Sequence, residues 1–400
     1  MTVRDNCDLG ARVAVPTTAA SSGLGGRTDA GVGTSPQRPD GTLKVSGEFA
    51  YGSDLWMDDM LWGVTLRSPH PHARIRSIEI GAALATAGVF AVLTHEDVPG
   101  RNVYGLEIQD QPVLAFDRVR YQGEPVALVA ADHPETARRA AKKIAVDYEV
   151  LEPVTDARVA LDDASPRVHP DGNLVRRVRI RTGTADPTAE VVVSADYEVG
   201  MQDQAFLGPE AGLAVPDGEG GLDLYVATQW VHVDQRQICQ ALGLRPEQVR
   251  LTLAGVGGAF GGREDLSMHV HGCMLAMHTG KPVKMSYSRE ESFFGHVHRH
   301  PAQLHYEYGA DRSGRLVYAR AEVYLDGGAY ASSTPAVVGN AGTMGVGPYR
   351  IPNVHVDCYG VYTNNPPCGA MRGFGSVQTA YAYEAIMDKL AAELGMDPVE

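Results

Sequence analysis

The feature that most constrains this chain is the stretch Gly257-Gly258-Ala259-Phe260-Gly261-Gly262-Arg263-Glu264-Asp265. Glycine at this density lets backbone approach another group closely or turn through positive φ, at an entropic cost that a plain spacer would not warrant. The phenylalanine gives the turn one bulky contact, and Glu264 can point into whatever the glycines surround. Further on, Ala370-Met371-Arg372-Gly373-Phe374-Gly375 repeats the grammar, with an arginine ahead of Gly-Phe-Gly. Gln248 to Leu253 reads as a strand feeding the first motif, and Leu266, His269, Val270, Cys273, Met274 and Met277 follow helical spacing after it. The motif is therefore predicted at a strand–loop–helix junction, where open α/β folds place ligands.

Glycine density alone fits a structural turn as well as a ligand loop. The fixed offsets of Phe260 and Glu264, and the second Arg-Gly-Phe-Gly copy, favour the ligand loop. Phosphate-loop readings fail. A Walker A loop needs Lys-Ser/Thr after its last glycine, and here Gly262 is followed by Arg263-Glu264. A dinucleotide GxGxxG counted from Gly255 meets Phe260 where its third glycine belongs.

With 400 residues, 44% of them hydrophobic, the chain can bury two or three domain cores. A net charge of −14 argues against nucleic acid or an anionic membrane surface as the main partner. No long apolar run predicts a membrane span, and the N-terminus has no apolar signal core. Five scattered cysteines form neither a disulfide framework nor an iron–sulfur pattern, which points to a reducing cytoplasm.

In chain order, the Ser/Thr/Gly/Ala-rich residues 1–38 read as a disordered arm. Residues 39–152 read as a compact α+β domain. Its strands are expected near Met60–Leu66, Gly88–Thr94, Glu124–Ala130 and Ile144–Val150, with a helix over Pro134–Lys143. Residues 153–190 are low in pattern and read as a linker. Residues 191–400 read as a second domain. It is expected to hold a strand over Glu190–Val199, a strand over Leu222–Thr228 that ends at Gln229-Trp230, and a helix over His232–Leu242. A hairpin through Asp311–Gly314, a strand over Val354–Tyr362 and a helix from Val377 to Leu394 capped by Ser376 complete it.

His296, His298 and His300 form an HxHxH pattern that could ligate a metal. No Asp, Glu or Cys stands close in sequence to complete a set, so alternate positions facing solvent or a partner is the simpler reading. Glu290-Glu291 reads as a solvated helix start, Cys368 as a small apolar filler, and Arg263 and Lys281 as surface or anion-contacting charges.

Taken together, Gly257–Glu264, Ala370–Gly375, Ala227-Thr228-Gln229, Lys44-Val45-Ser46-Gly47 and Tyr121–Ala127 resemble the molybdenum-binding large subunit of the xanthine dehydrogenase/aldehyde oxidase family. The resemblance covers about residues 38 to 400, and the wording of both glycine motifs is similar to bacterial three-subunit members. It implies an N-terminal α/β hammerhead domain followed by the first part of a molybdenum-cofactor-binding domain of mixed sheets and helices. The implied chemistry is hydroxylation of an electron-poor carbon with oxygen drawn from water, on molybdenum held by a molybdopterin, in its cytosine dinucleotide form. The cofactor carries the difficult step while the protein positions and polarises.

By the same resemblance Gln229, Gly258, Phe260, Gly261 and Arg372 bind the cofactor. Molybdenum lies near Gln229, Phe260 and Arg372; Glu264 and Phe374 hold a flat heteroaromatic substrate. The carboxylate at Glu264 implies a purine, hypoxanthine or xanthine, rather than another N-heterocycle or an aldehyde. Gly373 stands where carbon monoxide dehydrogenases carry Cys, which argues against that chemistry. Val338–Gly342 lacks the arginine that purine enzymes of the bovine type place there, which leaves the exact substrate open. The family's general-base glutamate belongs to a later domain and is not in this chain. The expected reading is thus an N-terminal half, inactive alone or serving as an assembly piece unless the remainder is supplied. Partner iron–sulfur (2Fe-2S) and FAD subunits, in a dimer of heterotrimers, are implied for electron exit.

Overall fold

A computed structural model describes residues 31–33, 38 and 40–399 of the chain. The expected arm at 1–38 lies almost wholly outside the described residues.

In chain order the elements are α1 (Gly41–Ser46), β1 (Leu61–Arg67), β2 (Ala73–Glu79), α2 (Gly81–Leu84), β3 (Val89–Leu93), β4 (Arg118–Val119), β5 (Pro125–Ala131), α3 (Pro134–Ala141) and β6 (Ala145–Val150). Then come β7 (Leu174–Thr182), β8 (Val191–Val199), β9 (Ala211–Pro216), β10 (Leu222–Val226), α4 (Val231–Leu242), β11 (Val249–Leu253), α5 (His269–Thr279), β12 (Val283–Ser286) and α6 (Arg289–Gly295). Last are β13 (Ala302–Ala310), β14 (Leu316–Gly328), α7 (Thr334–Thr343), β15 (Asn353–Tyr362) and α8 (Ser376–Leu394).

A seven-stranded mixed sheet runs in the order β11-β10-β9-β12-β1-β5-β3. Its strand β5 is buried at every position, as a continuous apolar run with cover on both faces must be. Strand β1 pairs in parallel with β12 and antiparallel with β5, so one sheet continues from the N-terminal region into the second. The almost wholly buried α5 packs on β9, β12 and β10. A three-stranded sheet, β4-β2-β6, stands beside it. A five-stranded sheet has the order β7-β15-β14-β13-β8; its face is covered by α7 and α8 over a core of Tyr306, Tyr308, Val337, Val338, Ile386 and Leu390. Both sheets and helices are thus present in mixed order, as the α+β reading expects.

The structure departs from the sequence reading at residues 153–190. That stretch carries β7, paired antiparallel with β15 from Leu174 to Thr182. The strand hides in the sequence because Arg176, Arg177, Arg179 and Arg181 interrupt its apolar residues. Three of these guanidiniums converge on the single carboxylate of Asp357 across the ladder. Also, Ser376 is the first residue of α8 rather than its cap; Gly375 holds that position, and the Ser376 hydroxyl donates to Gly373 O at 2.5 Å.

Candidate functional site

Both Phe-Gly motifs fold the same unusual way. Phe260 has φ +52° and Phe374 has φ +47°, in the left-handed region that bulky residues avoid. Strain of this kind costs of order 1–3 kcal/mol and concentrates at functional sites. The glycine after each phenylalanine accepts a further positive φ that a side chain would resist: Gly261 has φ +104° and Gly375 +97°. The loops lock together. Arg372 N–H donates to Phe260 O at 2.9 Å. A side chain at Gly261 would put its Cβ 2.5 Å from Ala370 O, so only glycine permits the contact.

Gln229 fixes the first loop from the other side. Its Oε1 accepts from Gly261 N (3.1 Å) and Arg263 N (3.3 Å), while its own backbone N–H donates to Arg263 O (3.0 Å). Thr228, just before it, bonds the buried Asp234 at the start of α4. With Oε1 committed to the loop, the Nε2 amide of this exposed side chain is the part left to donate into the cleft.

The cleft between the loops has a volume of about 570 Å³. Among its lining residues are Gln229, Phe260, Gly261, Glu264, Arg372 and Phe374, which the sequence singled out, together with Leu106, Glu107, Trp230, Ser333 and Met371, which it did not. Gly258 is not on this wall; its carbonyl accepts from Arg263 Nε at 3.1 Å behind the loop. Phe374 packs against the apolar core as well as the cleft, so its ring is held. The carboxyl of half-buried Glu264 is pushed up by burial. Leu106 and Glu107 come from a loop with no motif. Trp230 follows Gln229 directly and could have been found from that adjacency.

Arg263 is not a surface charge. It is 6% exposed, donates to Gly258 O and Gly208 O, and lies 4.4 Å over the Phe206 ring. Lys281 reaches over the Phe90 ring at 5.5 Å. Of the pair Glu290-Glu291, Glu290 is exposed, whereas Glu291 forms a 3.1 Å ion pair with Arg67. Cys368 is fully buried, and burial pushes its thiol well up, which fits the filler reading.

The three histidines also differ from expectation, for all are buried. His300 Nε2 meets Thr334 Oγ1 at 2.8 Å, and burial lowers it to about 3. His296 and His298 stack on each other, with ring centroids 5.1 Å apart, and face Asp203 and Glu210. Those carboxylates lie 93 and 86 residues from His296 in sequence (296 − 203 and 296 − 210), so no local pattern could reveal them. Burial opposes the charged form of His296, but the two carboxylates outweigh it and raise the ring to about 9.

In the interior, burial pushes the carboxyls of Asp265, Asp234 and Glu124 up to about 7 and that of Asp110 to about 6. In the unfolded chain these groups titrate near 4. Between those values the folded state holds protons that the unfolded state has released, so stability falls as pH rises. Buried His269, His271 and His300, lowered to about 3, 4 and 3, work in the opposite direction, but only below the ordinary histidine value of about 6.5. Above it the carboxyls act unopposed, and His296 adds to them. The melting temperature of the chelator-treated chain is therefore expected to fall between about pH 6.5 and pH 8. Calorimetry at both ends checks this, and a rise would mean the carboxyls are ionised in the fold.

Among the described residues, no helix is long and apolar enough to cross a membrane. The aldehyde oxidase and xanthine dehydrogenase a/b hammerhead domain matches residues 46–152, and the molybdopterin cofactor-binding domain matches residues 168–400. A probable xanthine dehydrogenase subunit from Bacillus subtilis is 39% identical over 91% of this chain and 49% of its own length. The nicotinate dehydrogenase large molybdopterin subunit of Eubacterium barkeri is 40% identical over 92% of this chain and 88% of its own. The solved aldehyde oxidoreductase of Desulfovibrio gigas superposes with a TM-score of 0.86 at 30% identity, over 90% of this chain and 42% of that one. The chain thus spans about half the length of some relatives and most of another. Two family domains in the expected order, carrying two interlocked glycine loops on one cleft, establish that this chain belongs to the molybdenum-dependent oxidoreductases of the xanthine dehydrogenase/aldehyde oxidase family.

Proposed function

We propose that the chain provides one wall of a molybdenum hydroxylase site that oxidises a purine at an electron-poor ring carbon. The residues fit a molybdopterin: side-chain-free backbone at Gly261 brings two strained loops together, and Gln229 and Arg372 stand as donors on the same cleft. When bound, that group supplies the two-electron oxidation and activates the water-derived oxygen. The chain's own tasks are simpler. Gln229 Nε2 would donate a hydrogen bond to the cofactor, and Phe260 and Gly261 would give it a close-fitting backbone, while Gly258 would act only from behind, through its carbonyl on Arg263. Arg372 supplies a fixed cation for the pterin or phosphate side, suited to the cytosine dinucleotide form. Phe374 offers a ring face to a flat heterocycle.

Glu264 carries the choice of substrate. Half-buried on the cleft wall, it can accept from a ring N–H or, when protonated, donate to a ring carbonyl. Oxidation of nicotinate, after the Eubacterium barkeri relative, is a second reading. Arg372 favours an anion, but Glu264 and Glu107 on the same cleft oppose one. Among the described residues that line the cleft, none is assigned as the general base. In this reading electrons leave through 2Fe-2S and FAD partner subunits in a cytoplasmic dimer of heterotrimers; that some relatives are named as subunits supports a complex.

In the assembled enzyme, Glu264→Ala is expected to lower kcat/KM for hypoxanthine or xanthine by about 10- to 100-fold, the loss of one or two kcal/mol-scale hydrogen bonds, and to spare an aromatic aldehyde. Turnover of nicotinate but not purines by the wild type, rising in Glu264→Ala, would replace the purine reading with the second.

A further inference from the structure

We propose a divalent-cation site, separate from the molybdenum cleft, built from His296 Nε2, His298 Nε2 and Asp203 Oδ2. One ligand atom from each of the three residues lies within 4.8 Å of the other two. Asp203 Oδ2 stands 3.0 Å from His296 Nε2 and 3.5 Å from His298 Nε2. Ligands around a tetrahedral zinc, at about 2.0–2.1 Å from the metal, stand roughly 3.4 Å apart, so these spacings need little adjustment. Gln204 Oε1, 3.2 Å from His296 Nε2, offers a neutral fourth donor. Two imidazoles with carboxylate and amide oxygens suit zinc or a similar borderline divalent ion.

The surroundings are those of a metal site. Glu210, 3% exposed, places Oε1 at 3.1 Å from His296 Nδ1, on the side of the ring away from Asp203. A carboxylate on the far nitrogen fixes the tautomer that leaves Nε2 free to ligate. An ion pair alone satisfies the cluster poorly. Asp203 Oδ2, both Glu210 oxygens and His298 Nδ1 are buried without a hydrogen bond of proper geometry, and two carboxylates converge on the one His296 ring. A dication matches the charge of the two carboxylates, and a metal does not require hydrogen-bond angles.

The site lies directly beneath the glycine loops. Gln204 Nε2 donates to Ala370 O at 2.7 Å, Gly369 N to His298 O at 2.8 Å, and Arg299 to Arg372 O at 3.0 Å. The ion would tie the 203–210 segment to the 296–300 segment and so brace the second loop.

The test uses the assembled, untagged enzyme, stripped with a chelator, equilibrated with Zn²⁺, desalted and analysed for zinc and molybdenum. About one zinc per chain is expected in the wild type. Asp203→Asn, His296→Gln and His298→Gln should fall to background, while His305→Gln at the exposed pair with Asp196 should keep the ion. Glu210→Gln should weaken zinc by about 10- to 100-fold in competition with a chromophoric chelator. If the ligand variants fail to fold, Co²⁺ added to the stripped wild type decides: d–d absorption that saturates at one equivalent supports the site. No stoichiometric zinc and no cobalt spectrum, or zinc retained in the His296→Gln enzyme, overturns it.

Discussion

Gly261→Ala is expected to cut turnover of the assembled enzyme by about 100-fold or more and to release molybdenum, on the rule that a misplacement near 1 Å costs about that much. A Cβ at this position would lie 2.5 Å from Ala370 O, 2.6 Å from Ala370 C and 3.0 Å from Met371 Cα. All three obstacles are backbone, so no rotamer change relieves them. The φ of +104° adds strain that alanine cannot avoid. The loops must part, and the Arg372 N–H to Phe260 O bond that joins them is lost. In stability that bond is worth only about 0.5–1.5 kcal/mol, so the chain should still fold. Gly257→Ala is the control within the same motif: its Cβ would meet nothing nearer than Tyr51 Cε1 at 3.5 Å, and its φ is not positive. Turnover and molybdenum content of the two variants read the difference. Equal behaviour would mean that glycine density, not the loop junction, is what the motif supplies.

That contrast also shows what sequence can reveal. The glycines of the first motif look alike in one dimension, yet Gly257 has room for a side chain and Gly261 has none. Residues that act through local patterns were legible: the strand into the first motif and the helix after it; Glu264, Phe260, Arg372 and Phe374, which the family resemblance singled out, lie on the cleft. Residues that act through tertiary neighbours were not. Arg263 carries a charge that normally marks a surface, but two backbone carbonyls and the Phe206 ring hold it inside. Asp203 and Glu210 meet His296 only because the segment between β8 and β9 converges with the one before β13. Likewise β7 is hidden because its ladder partner, not its own apolar count, neutralises its arginines.

Gln229 offers the sharpest separation of structure from chemistry, since the two ends of one amide have different duties. Gln229→Glu keeps an oxygen for Gly261 N and Arg263 N but removes the Nε2 donor and adds negative charge beside Glu264 and Glu107. The fold should survive, with a melting temperature close to wild type. Turnover should fall by about 100- to 1,000-fold, the usual loss for one preorganised donor in an active site. Gln229→Ala removes both ends. It leaves two partly buried N–H groups without their acceptor, at about 1–3 kcal/mol each when fully desolvated. For a chain of this size that lowers the melting temperature by several degrees, roughly 2–4 °C per kcal/mol. Thermal melts and steady-state rates on the two variants therefore move independently. A Gln229→Glu enzyme with normal kcat would remove the donor from the proposed mechanism and leave Gln229 as an anchor of the glycine loop alone; a destabilised Gln229→Glu would show that the anchor itself requires a neutral amide.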